Sequence, residues 1–185
     1  QDVAQFPGRS PFDLVGIDNR RAGYVLASHF LDRGCKRIAF LCRPNSAQTV
    51  DARIAGYREA ILNRGLPIKS GWIHRSSPDD PKLVAKLSKE RSEAVLCAND
   101  FTAAKLIGAL LRRGVRVPED IRVAGVDDQK YANLSAVSLT TIRQPCAAMG
   151  QAAAHAMLER VAQPDLPGRD LLLDFELIER DSSGK

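Results

Sequence analysis

The sequence predicts an α/β fold, a doubly wound parallel sheet with helices on both faces. Three observations predict it. Short apolar, β-branched runs alternate along the chain with amphipathic stretches of helical period. Three of those stretches stop at a glycine, Gly34, Gly65 or Gly114, where a left-handed residue ends a helix. Polar residues gather just beyond the apolar runs, where sheets of this kind hold ligands.

Residues 1–11 show no periodicity and read as an entering linker. The apolar run 12–17 predicts a strand, and Asp18-Asn19 supply cap residues for a helix over 20–33, with Val25, Leu26, Phe30 and Leu31 on one face. Residues 35–42 contain the unbroken run Ile38-Ala39-Phe40-Leu41, a strand buried on both faces. A helix over 49–64 turns Ile54, Tyr57, Ile61 and Leu62 inward. A brief strand at 72–75, a helix over 79–89 and a strand at 94–97 follow. Asn99 and Asp100 then cap a helix that runs to Gly114, after the basic pair Arg112-Arg113.

Pro118 pushes Val117 toward extended geometry, and Ile121, Val123 and Val126 supply the next strand. Gly125 leaves room for a close backbone approach near its end. The loop 129–138 is long for a connection between a strand and a helix, which marks it as functional. A strand at 139–143, an Ala-rich helix at 147–161, a Pro/Gly loop and a returning strand near 171–178 complete the chain. Strand order is not legible at this level.

A chain of 185 residues fits one domain with part of a second. With 44% hydrophobic and 26% charged residues it has the composition of a globular protein, which argues against a disordered chain. The net charge of +5 is spread along the chain without a basic block interleaved with aromatics, so it does not by itself mark a nucleic-acid surface. Cys35, Cys42, Cys97 and Cys146 form no Cys-x-x-Cys pair and have no histidine at metal-ligand spacing. They read as reduced thiols, which favours the cytoplasm, and no metal or cofactor is expected. No apolar run approaches the roughly 20 residues that span a bilayer. The chain opens on Gln1 without a signal-like segment, and its natural start is expected upstream.

Candidate ligand contacts lie past strand ends: Asn99 and Asp100, then Asp127 and Asp128, then Gln144. Converging amides and carboxylates suit a polyhydroxylated molecule, because each hydroxyl both donates and accepts. Each member also has a plainer role: Asn99 as a helix cap, the aspartate pair as an acidic turn. Arg53, early in its helix, either forks onto vicinal hydroxyls or a carboxylate or stands exposed. His29, His74 and His155 are dispersed, and no nucleophile elbow, Gly-x-Gly-x-x-Gly or Walker loop is present, so an enzyme reading has no support.

These segments carry a family resemblance. Asp18-Asn19 with Gly23, then Gly34-Cys35-Lys36-Arg37-Ile38-Ala39-Phe40, are similar to a helix start followed by "GHxRIAFL", with Cys35 in place of the usual histidine. The series continues with Arg53-Ile54-Ala55-Gly56-Tyr57, Ala98-Asn99-Asp100, the run from Gly114 to Asp128, Leu139-Thr140-Thr141-Ile142-Arg143-Gln144-Pro145, and the terminal Arg180-Asp181-Ser182. From about Asp13 to Ser182 the chain resembles the effector-binding core of lac-repressor-family transcription regulators.

The resemblance implies two similar α/β subdomains with a ligand cleft between them, in the manner of type I periplasmic sugar-binding proteins. It implies effector contacts from Arg53, Asn99 and Asp127, with Gln144 a weaker candidate at the crossover. Val126 stands where an aromatic is usual. Residues 127–132 and 141–146 look most like arabinose-type repressors, so a monosaccharide is the implied effector. The implied division is a linker at 1–12, the C-terminal subdomain at 13–145, a crossover helix and loop at 146–170 that belong with a first subdomain mostly absent from the chain, and a returning strand and tail at 171–185.

Further implications are a homodimer formed through the helix 101–113 and the loop 129–138, and operator DNA bound through an N-terminal head outside this chain. The crossover helix is expected to present an apolar face covered by self-association or rearrangement. A periplasmic sugar-binding protein of a transport system is the alternative.

Overall fold

The computed structural model describes residues 12–133 and 136–184. Its main sheet has six strands: β2 (Ile38–Cys42), β3 (Ile73–Arg75), β4 (Ala94–Cys97), β5 (Arg122–Val126), β6 (Thr140–Arg143) and β8 (Glu176–Ile178). They lie in the order β3-β2-β4-β5-β6-β8. All neighbours are parallel except β8, which pairs antiparallel with β6 at the edge, Ile142 opposite Leu177.

Both faces are covered, as the continuous apolar strands require. On one face α1 (Asn19–Asp32) and α2 (Gln48–Asn63) bury Leu26, Phe30, Tyr57 and Ile61 against Ile38, Phe40 and Leu96. On the other, α3 (Pro81–Lys89) and α4 (Asp100–Leu111) bury Leu83, Leu87, Leu106 and Leu110 against Ala39, Leu41, Val95 and Val123. Strand neighbours alternate between the two clusters, the period-two signature of a sheet with a core on each side. Tyr57 reaches under the sheet to donate to the Ile38 carbonyl at 2.7 Å, which satisfies its buried hydroxyl.

Gly34, Gly65 and Gly114 adopt φ of +82°, +66° and +73°, the left-handed stops expected of them. The helices α1 and α2 meet through two further glycines. A Cβ on Gly23 would lie 2.0 Å from the Arg53 carbonyl oxygen, and one on Gly56 would lie 1.8 Å from that of Arg20. Glycine at both positions lets the two backbones touch and brings Arg53 up against the start of α1.

Two expectations need correction. The strand expected at 12–17 appears as β1 (Leu14–Ile17), but it stands outside the main sheet and pairs in parallel with β7 (Asp170–Leu173). The span 13–145 thus contributes strands to both sheets. The returning strand expected near 171–178 is two strands, β7 and β8, broken at Asp174-Phe175 where the chain passes from one sheet to the other. The physical reason is pairing across more than a hundred residues of sequence, which local periodicity does not encode.

The ribbon of β1 and β7 packs with α5 (Cys146–Ala162), and Asp13 ties it together by accepting from Arg160 and Arg169. Those bonds hold the Asp13 carboxyl well below the usual carboxylate range. Within α5, Ala156 is buried while Met157, Leu158 and Val161 are exposed. That matches the expected apolar face. Leu134 and Ser135, in the long loop expected to be functional, fall outside the described residues; a short helical turn at Lys130–Asn133 precedes them.

Candidate functional site

The cleft lies beyond the carboxyl ends of β2, β4 and β5, where the strand order places the α2 and α4 starts side by side. It encloses about 390 Å³ and is lined by Arg43, Asn45, Ser46, Ala47, Thr49, Val50, Arg53, Ala98, Asn99, Thr102 and Asp127. Three of the four sequence-predicted residues are thus brought to one wall. Gln144 does not line it and stands behind Asp127.

Arg53 is 8% exposed, so the reading of an ordinary solvent-facing helix arginine fails. Its Nε donates to Asn19 Oδ1 at 2.8 Å and its Nη1 donates to the Ala98 carbonyl. Both acceptors are neutral, and among the described residues no carboxylate bonds the guanidinium. Burial lowers its pKa, offset in part by the charges of Asp127 and Asp100. Two hydrogen bonds fix the fork while Nη2 makes none among the described residues, an arrangement suited to donating into the cleft.

Asp127 and Asp128 leave β5 with φ of +124° and +51°. Successive positive φ values at non-glycine residues cost about 1–3 kcal/mol each, and strain of this kind collects at ligand sites. It also splits the pair. Asp127 turns to the cleft, where Gln144 Nε2 donates to its Oδ1 at 2.7 Å. Burial raises its pKa, against the nearby Arg53 charge and the Gln144 bond.

Asp128, expected to share the ligand, is instead engaged by Arg143 at 2.7 Å and Arg180 at 2.6 Å. Partial burial opposes its ionisation, but those two guanidinium bonds outweigh it and hold the carboxyl below its usual range. Asp128 belongs to the strand-end scaffold.

Asn99 unites its two readings. Its Oδ1 caps α4 by accepting from the Thr102 amide at 2.9 Å, while the residue also lines the cleft. The cap uses one of the two Oδ1 lone pairs and neither of the Nδ2 donors.

Two further residues build this wall in roles that the sequence does not show. Asn19 was read only as a cap residue, yet Asp18 performs the capping and Asn19 positions Arg53. Asp100, a candidate for both the cap and a ligand contact, is instead 0% exposed and accepts from Thr141 Oγ1 at 2.6 Å and the Gln129 amide at 2.9 Å. Gly125 is what admits it, because a Cβ there would lie 2.4 Å from Asp100 Oδ1. Burial raises the Asp100 pKa to about 6, with those two bonds opposing the shift and Asp127 and Asp128 adding to it.

A doubly wound sheet with a polar, strained, preformed half-cleft at its carboxyl edge, joined by strand crossings to a partial second layer, defines a lobe of a cleft-type ligand-binding protein. Residues 27–183 match the family model described as periplasmic binding protein-like domain, and the chain belongs to that family. Its fold and sequence correspond there to the effector-binding core of LacI-family regulators.

It is 32% identical over 180 residues to the HTH-type transcriptional repressor PurR of Mannheimia succiniciproducens, covering 94% of this chain and 53% of that relative. It is 31% identical to PurR of Photobacterium profundum, covering 92% and 52%. The chain therefore spans about half the length of the curated relatives it matches.

Among solved structures, a LacI-family regulator from Enterococcus faecium with bound ribose aligns with a TM-score of 0.83 at 27% identity, over 96% of this chain and 67% of that one. A regulator described as a putative LacI-family member from Sanguibacter keddieii aligns with a TM-score of 0.84 at 29% identity, over 97% and 69%. Among the described residues no group of three or more His, Cys, Asp or Glu side chains is placed to hold a metal. No described helix is long and apolar enough to cross a membrane.

Proposed function

We propose that this chain is the sensing part of a cytoplasmic transcription regulator, binding a small polyhydroxylated effector, a monosaccharide, against the wall formed by Arg53, Asn99 and Asp127. The observation that carries the reading is the buried Arg53 fork, fixed by two neutral acceptors beside a carboxylate in a polar cleft. Arg53 and Asn99 donate to ligand oxygens, and Asp127 accepts from ligand hydroxyls. Gln144 acts through Asp127.

No part of this arrangement is a nucleophile with an adjacent base, which favours binding over turnover. Operator DNA would be held by a head outside this chain, and the effector would act by preferring one arrangement of the two lobes. The regulator relatives favour this reading over a transport receptor of the same fold.

Homodimer formation is proposed through α4. Phe101 and Leu111 are 46% and 38% exposed, and Phe101, Ala104, Gly108 and the Lys105 stem form a shallow apolar groove there. This face is opposite the one on which α1 and α2 pack.

Calorimetric titration with ribose, arabinose and cellobiose, and with adenine as a flat heterocyclic comparator, tests the effector class. A monosaccharide is expected to bind, and Asp127→Asn and Arg53→Met are expected to weaken it by about ten- to a hundredfold, the range for hydrogen bonds to charged groups. Binding of adenine alone would overturn the sugar assignment.

A further inference from the structure

Three short crossings join the main sheet to the ribbon of β1, β7 and α5: Asp18 between β1 and α1, Gln144-Pro145 between β6 and α5, and Asp174-Phe175 between β7 and β8. The first two are tied to the cleft. Asn19, directly after the first, accepts from Arg53 Nε at 2.8 Å through Oδ1 and donates through Nδ2 to the carbonyl of Ile17, the last residue of β1, at 3.2 Å. Gln144, in the second, donates to Asp127 Oδ1 at 2.7 Å, and its own carbonyl accepts from the amide of Cys146, the first residue of α5, at 2.9 Å. The third crossing is held apart from the cleft, by Arg21 at Asp174 and over the Phe175 ring.

We infer that Asn19 and Gln144 are positioning residues that transmit the state of Arg53 and Asp127 to the ribbon through the first two crossings. The Asn19 side chain bridges Arg53 and the Ile17 carbonyl at the first crossing, and Gln144 holds Asp127 by its side chain and the Cys146 amide by its own backbone carbonyl at the second. A molecule that draws on the Arg53 fork or on Asp127 Oδ1 redistributes the bonds those amides depend on. The ribbon then reports occupancy without any ligand atom reaching it.

Such coupling requires only that the two bond arrangements favour different ribbon geometries. The inference rests on the effector reading of the cleft for its biological meaning, but its geometry stands without a ligand.

The test is amide hydrogen exchange on the ligand-free chain. Asn19→Asp keeps the acceptor for Arg53 and removes the donor to Ile17, and it is expected to speed exchange in β1 by about fivefold, the loss of one net hydrogen bond, while β4 and β5 stay unchanged. Arg53→Lys, which removes the Nε donor at a residue that makes no bond to the ribbon, is expected to reproduce the effect in β1. Gln144→Met is expected to act on the first turn of α5. Thr49→Ala, which alters the cleft without touching a crossing, is the control and is expected to leave the ribbon alone.

The inference is overturned if Arg53→Lys leaves β1 exchange at the wild-type rate, or if the variants accelerate β4 and β5 as much as the ribbon, the mark of general loosening. Because no ligand is present, failure here leaves the effector reading intact, and failure of every sugar to bind leaves this result intact.

Discussion

Asp100 occupies the first position of α4 with no exposed surface, and its two hydrogen bonds tie that helix to β6 and to the loop after β5. Its folded pKa of about 6 lies above the value of 3.8 for a free carboxyl, so the folded state binds this proton more tightly than the unfolded chain does. The stability it contributes is therefore fully present below about pH 4 and is lost as pH rises through about 6. Asn at this position can accept from the Gln129 amide and donate to Thr141. Asp100→Asn is thus expected to fold, and its stability should improve relative to wild type by about 1 kcal/mol between pH 5 and pH 7.5. Urea unfolding at both values checks it; a difference that does not change with pH would mean the carboxyl is not perturbed by its burial. Asn99 beside it was legible as both cap and contact because the two uses employ different atoms. The buried role of Asp100 was not legible, since a cap, a contact and a strut carry the same letter in sequence.

The helix starts and stops were the most legible elements, and the reason is local chemistry. Asp18 accepts from the Arg21 amide, Asp80 from the Lys82 amide and Asn99 from the Thr102 amide, each settled within one turn of chain. The α1–α2 contact was less legible, because it depends on two glycines thirty-three residues apart meeting each other's helix backbone. Their packing decides where Arg53 sits, so it links an element to the site. Gly23→Ala would set a methyl 2.0 Å from the Arg53 carbonyl oxygen, and a backbone atom cannot step aside as a side-chain tip can. The variant is expected to lose about 3 kcal/mol and to weaken effector binding as well, by displacing the Arg53 fork. Gly34→Ala, strained by its φ of +82° but far from any neighbour, is expected to cost about 1 kcal/mol and leave affinity unchanged. Chemical denaturation paired with titration separates the two; equal affinity loss in both would show that Arg53 placement does not depend on this contact.

At the scale of the whole molecule the exposed apolar faces of α4 and α5 differ in kind. On α5, Met157, Leu158 and Val161 flank a ribbon of two strands, too small a sheet to have a second covered face. On α4, Phe101 and Leu111 stand on a helix already anchored by Leu106, Ile107 and Leu110 beneath it. A rigid, pre-ordered face associates at lower entropic cost than one that must be held in place by the contact itself. Lys105 lies 5.0 Å from the Phe101 ring centroid and 3.2 Å from Asp79, so the rim of the groove is polar while its floor is apolar, the anatomy of a specific interface. If α4 is the dimer face, Phe101→Glu places a charge at its centre and is expected to raise the dimer dissociation constant at least about tenfold. Val161→Glu on α5 is expected to leave it within about twofold, since it changes a surface outside that contact. Sedimentation equilibrium over a range of concentrations reads both. The opposite ranking would move self-association to α5 and leave the α4 groove without its proposed partner, whereas a wild-type chain that stays monomeric throughout would remove the homodimer from this half of the molecule.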